Sequence, residues 1–502
     1  MNNLIFGIIT VSVCSLGYFY SWRYWKRDNY QIALLLLLIC GFLLRVYASM
    51  DFYLHTWDES FHALVAKNII HHPLSPTLYD NPVLPYDYKM WGENHIWLHK
   101  QPLPLWTMAA SLWMFGINEI ALRIPSIILT TIGIWLTFSI GSYFFNKKVG
   151  YLSALLYSIN GLIIEIAAGR TPTDHIDIFF LFFVELAIFF SIQFANKKKI
   201  FFNILAGISI GAAILSKWLP ALIVLPIWVL IMIDSGNFNV RKIIIQFTVL
   251  LVTCFITFLP WQVYIFNTFP LEANWEALYN LKHYTEDLCE KSGSTFYFID
   301  QIRVNYGELI YLPLLWFLWK MIKNTKDRKR LAICIWFIVP LLFFSFSKTK
   351  MQGYILFTSP ALFLMTSEFY FMVSEFKINH KQKWIFNLIL ILLIILPIRY
   401  TIERVKPFEK RERYPQWVTD LKKLNDYKIY NGVLFNYNNP VKAMFYTNLI
   451  VYPFIPDEKT IINLQKKGFN VIINDRQNIP DNIITIKGIR IEKLTSEIDC
   501  KN

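Results

Sequence analysis

Long apolar runs separated by short polar segments dominate the sequence up to about residue 400. A bilayer core about 30 Å thick is spanned by about 20 apolar residues in a helix. By that measure the apolar runs are 4–20, 31–49, 120–143, 149–167, 176–195, 200–216, 218–233, 243–260, 308–319, 331–347, 354–374 and 384–399. The pattern predicts an α-helical polytopic membrane protein with about twelve transmembrane helices.

Basic residues cluster between these runs and predict the orientation of the chain. The clusters lie at 23–27, 147–148, 197–199, 241–242, 320–330 and 377–383. All six fall on one side of the predicted bundle, which the positive-inside rule assigns to the cytoplasm. The N-terminus then lies outside, and the first run lacks the basic start and small-residue cleavage site of a signal peptide.

Three segments are long enough to fold on the outer side. The loop 50–119 contains a helical pattern at 57–70, four prolines in 73–87, and an apolar stretch at 102–115 that predicts an interfacial helix. A second outer loop covers 261–307. We therefore expect a transmembrane domain over 1–400 that includes both outer loops.

Beyond residue 400 the pattern changes to short apolar runs alternating with polar helical stretches. The runs 428–436, 449–454 and 469–474 read as strands, and 439–447 and 457–467 as helices between them. This rhythm predicts a small α/β domain over 401–502, outside the membrane. The domain contains no glycine-rich phosphate-binding motif.

The composition supports a membrane protein and excludes several other classes. Apolar residues make up 55% and charged residues 17% of the chain, whereas soluble domains carry roughly 25% charged residues. A soluble enzyme and a disordered chain are therefore excluded. The net charge of +14 follows from the loop clusters, so we expect membrane lipids as partners and no nucleic acid. The cysteines show no metal-ligand spacing.

Ionisable residues gather on the predicted outer side, close to the bilayer. Asp58 and Glu59 open the first outer helix, where they are either helix-start acids or a general base for an acceptor hydroxyl. The side chain of Lys100 either lies along apolar surface and places its charge in water, or it binds a phosphate. The other candidates are Arg123, Arg170, Asp174, Lys217, His283, Lys350 and Tyr354. Together they suit a substrate with a charged headgroup and an apolar tail.

The order of these residues resembles that of the polyprenyl-phosphate-dependent glycosyltransferases of the GT-C superfamily, in particular the aminoarabinose transferase and protein O-mannosyltransferase branch. Asp58-Glu59 matches the family's Asp-Glu pair, and Lys100-Gln101-Pro102-Leu103 matches its Lys-Pro-Pro-Leu segment with Gln in the first Pro position. Lys217-Trp218 stands where the family has Lys-Gly. Further matches are Glu119, Ala121, Arg123, Pro125, Arg170, Asp174, Phe179, Phe180, Pro260, Trp261, His283, Ser347, Lys350 and Tyr354.

The resemblance implies a GT-C fold and transfer of a sugar, with inversion, from a polyprenyl phosphate to a lipid, glycan or protein acceptor. Asp58 would be the base and Glu59 would support it, while Lys100 would hold the donor phosphate. Arg123, Arg170, Asp174, Lys217, His283, Lys350 and Tyr354 would contribute to donor-phosphate or substrate binding. No cofactor is required, and a divalent metal is left open. In a bacterium the carrier would be undecaprenyl phosphate, with the site facing the periplasm from the inner membrane.

Three alternatives remain at this point. An enzyme like the O-antigen ligases or polymerases would use a diphosphate carrier and an outer Arg/His pair, with no role for Asp58. A lipid or solute transporter would place polar residues along a path at the membrane midplane, whereas the predicted spans have largely apolar centres. A family member without activity would act as a binding or scaffold subunit.

Overall fold

The computed structural model describes residues 3–172, 175–237, 239–288, 291–376 and 383–497. The first helices in these ranges are α1 Asn3–Lys26, α2 Tyr30–Ser49, α3 Asp58–Ile69, α4 Pro102–Phe115, α5 Glu119–Phe144, α6 Lys147–Ser158, α7 Gly161–Ala167, α8 His175–Lys197 and α9 Ile200–Lys217. The next are α10 Val224–Asp234, α11 Val240–Thr268, α12 Pro270–Thr285, α13 Tyr297–Tyr306, α14 Tyr311–Lys323, α15 Arg328–Phe346, α16 Ser359–Glu375 and α17 Lys383–Val405.

The membrane-spanning helices agree with the apolar runs of the sequence. In the described part of the chain, nine helices are long and apolar enough to cross a membrane. A tenth span results if α6 and α7, which are bent by 51° at a short break, count as one. The predicted runs 218–233 and 308–319 correspond to shorter helical segments. The polytopic helical fold is confirmed, and the count of twelve stays a prediction.

Segments next to four of the predicted cytoplasmic clusters meet at one end of this bundle. Lys329 donates to the carbonyl of Tyr143 over 2.9 Å, and Arg328 donates to that of Ile233 over 3.0 Å. Asn237 likewise donates to the carbonyl of Ala195 over 3.1 Å. These contacts join the ends of α5, α8 and α10 to the start of α15. The segments next to the clusters 147–148, 197–199, 241–242 and 320–330 therefore lie at one end of the bundle, whereas residues 377–382 lie outside the described residues.

The C-terminal part forms a small parallel sheet, as the alternation of apolar runs predicts. Its strands are β1 Gly432–Phe435, β2 Ile450–Val451, β3 Asn470–Asn474 and β4 Arg490–Glu492 in the order β2-β1-β3-β4. The helices of this part are α18 Gln416–Leu424, α19 Pro440–Tyr446, α20 Glu458–Lys466 and α21 Asp481–Ile484. The fourth strand is three residues long and was not predicted, because so short a run has no readable alternation.

The sheet and the first outer loop share one hydrophobic core. Leu64 and Val65 of α3 belong to the same buried cluster as Leu105 of α4 and Leu434 of β1. The predicted outer helices at 57–70 and 102–115 are observed as α3 and α4. Their apolar faces are therefore covered partly by the C-terminal part.

Candidate functional site

An ion pair between Asp58 and Lys100 lies at the end of the bundle opposite the basic loops. Lys100 Nζ is 3.3 Å from Asp58 Oδ2, and the two side chains are 26% and 15% exposed. Burial raises the pKa of Asp58, but the positive charge of Lys100, followed by His62 and His99, outweighs burial and lowers it below the usual 3.8. Asp58 is thus ionised, and the pair is partly reachable from outside.

The local backbone explains how Asp58 comes to face Lys100. Trp57 adopts φ +69° and thereby turns the chain sharply into α3. The two acidic residues of the first turn are favoured by the helix dipole. Lys100 stands just before α4, which begins at Pro102. The α3 and α4 helices contact each other, so their N-terminal ends bring the two charges together.

Glu59 lies beneath this pair in a closed network. Its side chain is fully buried and accepts hydrogen bonds from Arg123 Nε over 2.6 Å and from Arg123 Nη2 over 3.0 Å. His55 lies 2.6 Å from Glu59 through Nδ1, and His175 Nε2 is 3.5 Å away. A side chain at Gly169 would come within 2.2 Å of Glu59. Glu59 and Arg123 therefore touch protein groups and support the floor of the site.

Asp51 is the centre of a second buried group that the sequence did not single out. Arg170 Nε lies 3.0 Å and Arg411 Nη2 2.7 Å from Asp51 Oδ2, and Arg413 Nη1 is 3.5 Å from Oδ1. Burial raises the pKa of Asp51, but its hydrogen bond to His55 and the arginine charges hold it well below its usual value. A carboxylate directly after an apolar run, at membrane-surface depth, is the signal that could have identified it.

Lys217 and Tyr354 form another part of the same end of the bundle. Lys217 hydrogen-bonds Asp177 and lies 4.8 Å from the ring centroid of Tyr354. Trp218, where the family resemblance implies Gly, adopts φ +66°. Glycine adopts a positive φ without strain, so the backbone after Lys217 is compatible with the implied Gly.

Lys350 and His283 lie on adjoining segments. Lys350 contacts the carbonyl of Ser347 through its ammonium group, and its backbone N–H donates to Lys291 over 2.7 Å. Lys291 Nζ in turn lies 5.2 Å from the ring centroid of Trp57. The carbonyl of His283 accepts the N–H of Thr349 over 3.0 Å. These links connect the 347–350 segment to the residue that precedes Asp58.

Gln101 and Asp174 are the remaining residues that the sequence resemblance singled out. Gln101, in place of the first Pro, is buried and accepts a hydrogen bond of 3.0 Å from Gln262, so it ties the start of α4 to α11. Asp174, predicted beside Arg170, lies outside the described residues, and Arg170 pairs with Asp51. Within the described residues, no group of three or more His, Cys, Asp or Glu side chains could hold a metal ion.

Comparisons with known proteins agree with the fold and with the predicted resemblance. The family model for dolichyl-phosphate-mannose-protein mannosyltransferases matches residues 99–264. An undecaprenyl phosphate-α-4-amino-4-deoxy-L-arabinose arabinosyl transferase of Pseudomonas fluorescens is 25% identical over 50% of this chain and 44% of its own length. That of Photorhabdus laumondii is 25% identical over 53% and 48%. The chain thus spans about half the length of these relatives.

Solved structures match over a longer part of the chain. ArnT from Cupriavidus metallidurans bound to undecaprenyl phosphate superposes with a TM-score of 0.60 at 15% identity, covering 86% of this chain and 87% of that chain. The oligosaccharyltransferase AglB from Archaeoglobus fulgidus, in complex with an inhibitory peptide and a dolichol-phosphate, gives 0.55 at 14% identity over 84% and 64%. The predicted GT-C fold and the resemblance to the aminoarabinose transferase branch are confirmed.

Proposed function

We propose that this chain is an inverting glycosyltransferase that moves a sugar from a polyprenyl phosphate to a lipid, glycan or protein acceptor. The observation that carries the proposal is the Asp58–Lys100 pair, which lies at the end of a GT-C bundle opposite the basic loops. In a bacterium the donor carrier is undecaprenyl phosphate, and the site faces the periplasm from the inner membrane. Residues 1–400 form the transferase domain and 401–502 the outer domain.

In the proposed reaction the glycosidic bond between the anomeric carbon and the donor phosphate breaks, and the carrier phosphate leaves with the electron pair. The acceptor oxygen attacks the opposite face of the anomeric carbon and forms the new bond. Asp58 takes the acceptor proton. Lys100 stabilises the charge that develops on the leaving phosphate. The transfer therefore needs one base near the acceptor hydroxyl and at least one cation near the leaving phosphate.

The ion pair implies that the steps of this reaction follow in a fixed sequence. While Lys100 faces Asp58, its charge keeps the carboxyl acidic and thus a weak base. A donor phosphate that binds Lys100 competes with Asp58 for the same ammonium group. The freed carboxylate then becomes a stronger base beside the sugar. Donor binding therefore precedes activation of the acceptor.

The remaining predicted residues take supporting roles in the proposal. Glu59, Arg123 and Arg170 position the base, because their charged atoms contact protein groups beneath it. Lys217, Lys350, Tyr354 and His283 line the approach to the donor phosphate from the other side. Asp174 keeps the substrate-binding role that the family resemblance implies. The GT-C fold favours this transferase over a transporter.

Carrier release by the reconstituted protein tests the proposal. The protein is supplied with membrane lipid extract and a panel of undecaprenyl-phosphate sugars, and free undecaprenyl phosphate is measured by mass spectrometry. We expect release with one donor, and a decrease of about 10²- to 10⁴-fold for Asp58→Asn, which removes the base. The exposed acid Asp426 supplies the control variant Asp426→Asn. Equal release by wild type and Asp58→Asn would contradict the role of Asp58.

A further inference from the structure

A short segment between α17 and α18 connects the C-terminal part to the buried floor of the site. We call residues 406–415 the arginine arm, since Arg411 and Arg413 extend from it to Asp51. Arg411 Nη2 lies 2.7 Å from Asp51 Oδ2 and 3.1 Å from the hydroxyl of Tyr53, to which it donates. Residues about 360 positions apart in the chain thus share one buried charge cluster.

The arm is attached to the bundle by further contacts. Arg413 donates to the side-chain oxygen of Asn3 over 2.9 and 2.6 Å and to the carbonyl of Tyr47 over 3.1 Å. The N–H of Phe52 donates to the carbonyl of Arg413 over 3.0 Å. The rings of Phe52 and Tyr414 stack with centroids 4.3 Å apart. The arm therefore holds the chain just after α2, at residues 51–53.

A chain of hydrogen-bonding groups leads from Asp51 to the residue next to Asp58. His55 Nε2 is 3.1 Å from Asp51, and its Nδ1 is 2.6 Å from Glu59. Glu59 follows Asp58 in the first turn of α3. Between these points the N–H of Leu54 donates to the hydroxyl of Tyr446 over 2.9 Å. The segment 51–59 is thus held from the C-terminal part at two places.

The positive charge of Arg411 strongly constrains the position of the segment 51–59. Asp51 is fully buried, and burying a carboxylate is costly unless cations and hydrogen bonds compensate it. Of its arginine neighbours, Arg170 belongs to the loop before α8, whereas Arg411 and Arg413 come from the arm. Removing Arg411 leaves the carboxylate undercompensated and able to rearrange together with His55.

We propose that Arg411 is a positioning residue for Asp58, acting through Asp51, His55 and Glu59. This inference rests on the proposed function, and it assigns the arginine arm a role in the transfer step. Arg411 contacts no substrate in this scheme. It orients the base, and its loss lowers the rate of transfer while donor binding is retained.

The test compares Arg411→Ala and Arg411→Lys with Arg490→Ala, whose arginine belongs to the same C-terminal part but pairs with Glu492. Carrier release gives kcat and KM for the donor, and amide hydrogen exchange reports on residues 51–62. We expect kcat of Arg411→Ala to fall about 10- to 100-fold, since displacement of a reacting group by about 1 Å has effects of that size. Donor KM should change by less than about threefold, a pattern typical of a residue that acts in the transition state.

Arg411→Lys should recover part of the lost rate, because it retains the charge without the planar fork of arginine. Exchange at 51–62 should accelerate in Arg411→Ala and stay unchanged in Arg490→Ala. An unchanged kcat with unchanged exchange would overturn the inference, as would a loss confined to donor KM. If the wild type releases no carrier, the proposed function fails, and exchange at 51–62 alone decides whether the arm orders the segment. If Arg411→Ala does not fold, Arg411→Lys carries the same comparison.

Discussion

At the scale of single residues, Asp58 and Lys100 have opposite effects on donor binding. Each neutralises the other over 3.3 Å, so a phosphate that binds Lys100 must displace the carboxylate. Asp58→Asn removes that competitor, and we expect the donor dissociation constant to fall by up to about fivefold, as breaking a partly exposed ion pair is worth roughly 0.2–1 kcal/mol. Lys100→Ala should raise the constant by at least as much. Binding of a radiolabelled donor without acceptor measures both.

The exposed Lys459 of α20 supplies the control variant Lys459→Ala, which should bind donor as the wild type does. Weaker binding in both Asp58→Asn and Lys100→Ala would show that the pair acts as a preformed structural unit, which contradicts the exchange of partners.

Single residues of the site could be identified from the sequence, whereas the residues with which they pair could not. Asp58, Lys100, Arg123 and Arg170 could be found because ionisable groups at a membrane surface are rare and costly. Their pairing could not be found, because Asp51 and Arg411 meet only through the fold. The need for glycine at 169 also appears only in the structure, where φ is +72° and Glu59 fills the space a side chain would take.

At the scale of elements, Lys67 connects α3 to the C-terminal part. Its ammonium group donates to the carbonyls of Met444, Phe445 and Thr447 over 2.7, 3.1 and 2.7 Å, at the end of α19. A lysine has three protons to donate, and a cation at a helix C-terminus also meets the negative end of the dipole. This contact fixes the end of α3 that is remote from Asp58.

We expect Lys67→Met to loosen α19 from α3, because hydrogen bonds to a charged donor contribute about 1.5–3 kcal/mol each. Amide exchange in residues 440–447 should accelerate about tenfold or more if local opening becomes easier by that order. Lys459→Met, on an exposed site of α20, is the matched control. Unchanged exchange in α19 would mean that the shared apolar core alone holds the two elements together.

Helices and strands could be predicted where their sequence pattern lies within one short stretch of the chain. A span of apolar residues or a βαβ alternation is present within one stretch of sequence, and α2, α3, α4 and β3 appear where the pattern places them. β4 has three residues and pairs with β3 only because the fold brings them together. Residue 400, the predicted end of the transmembrane domain, lies inside α17, which continues to Val405.

At the scale of the whole molecule, the two ends of the bundle differ in chemistry. The basic loops at one end contact one another through Arg328 and Lys329. The acidic and basic groups of the candidate site occupy the other end, where Asp51 and Asp58 are compensated by arginines and a lysine. From the positive-inside rule we expect the site to lie on the outer side.

Labelling of single cysteines tests this orientation. Asn237→Cys lies in the loop after α10, at the basic end, and Asn81→Cys lies in the outer loop before α4; both positions are exposed. Both variants are made in a protein that also carries Cys289→Ser and Cys500→Ser. The remaining cysteines, at 14, 40, 254 and 334, are buried. With a membrane-impermeant maleimide on intact cells or spheroplasts, we expect Asn81→Cys to react and Asn237→Cys to react only after the membrane is opened. The reverse pattern would place Asp58 in the cytoplasm, where the donor phosphate would have to be met from the inner leaflet and the proposed outer transfer would be wrong.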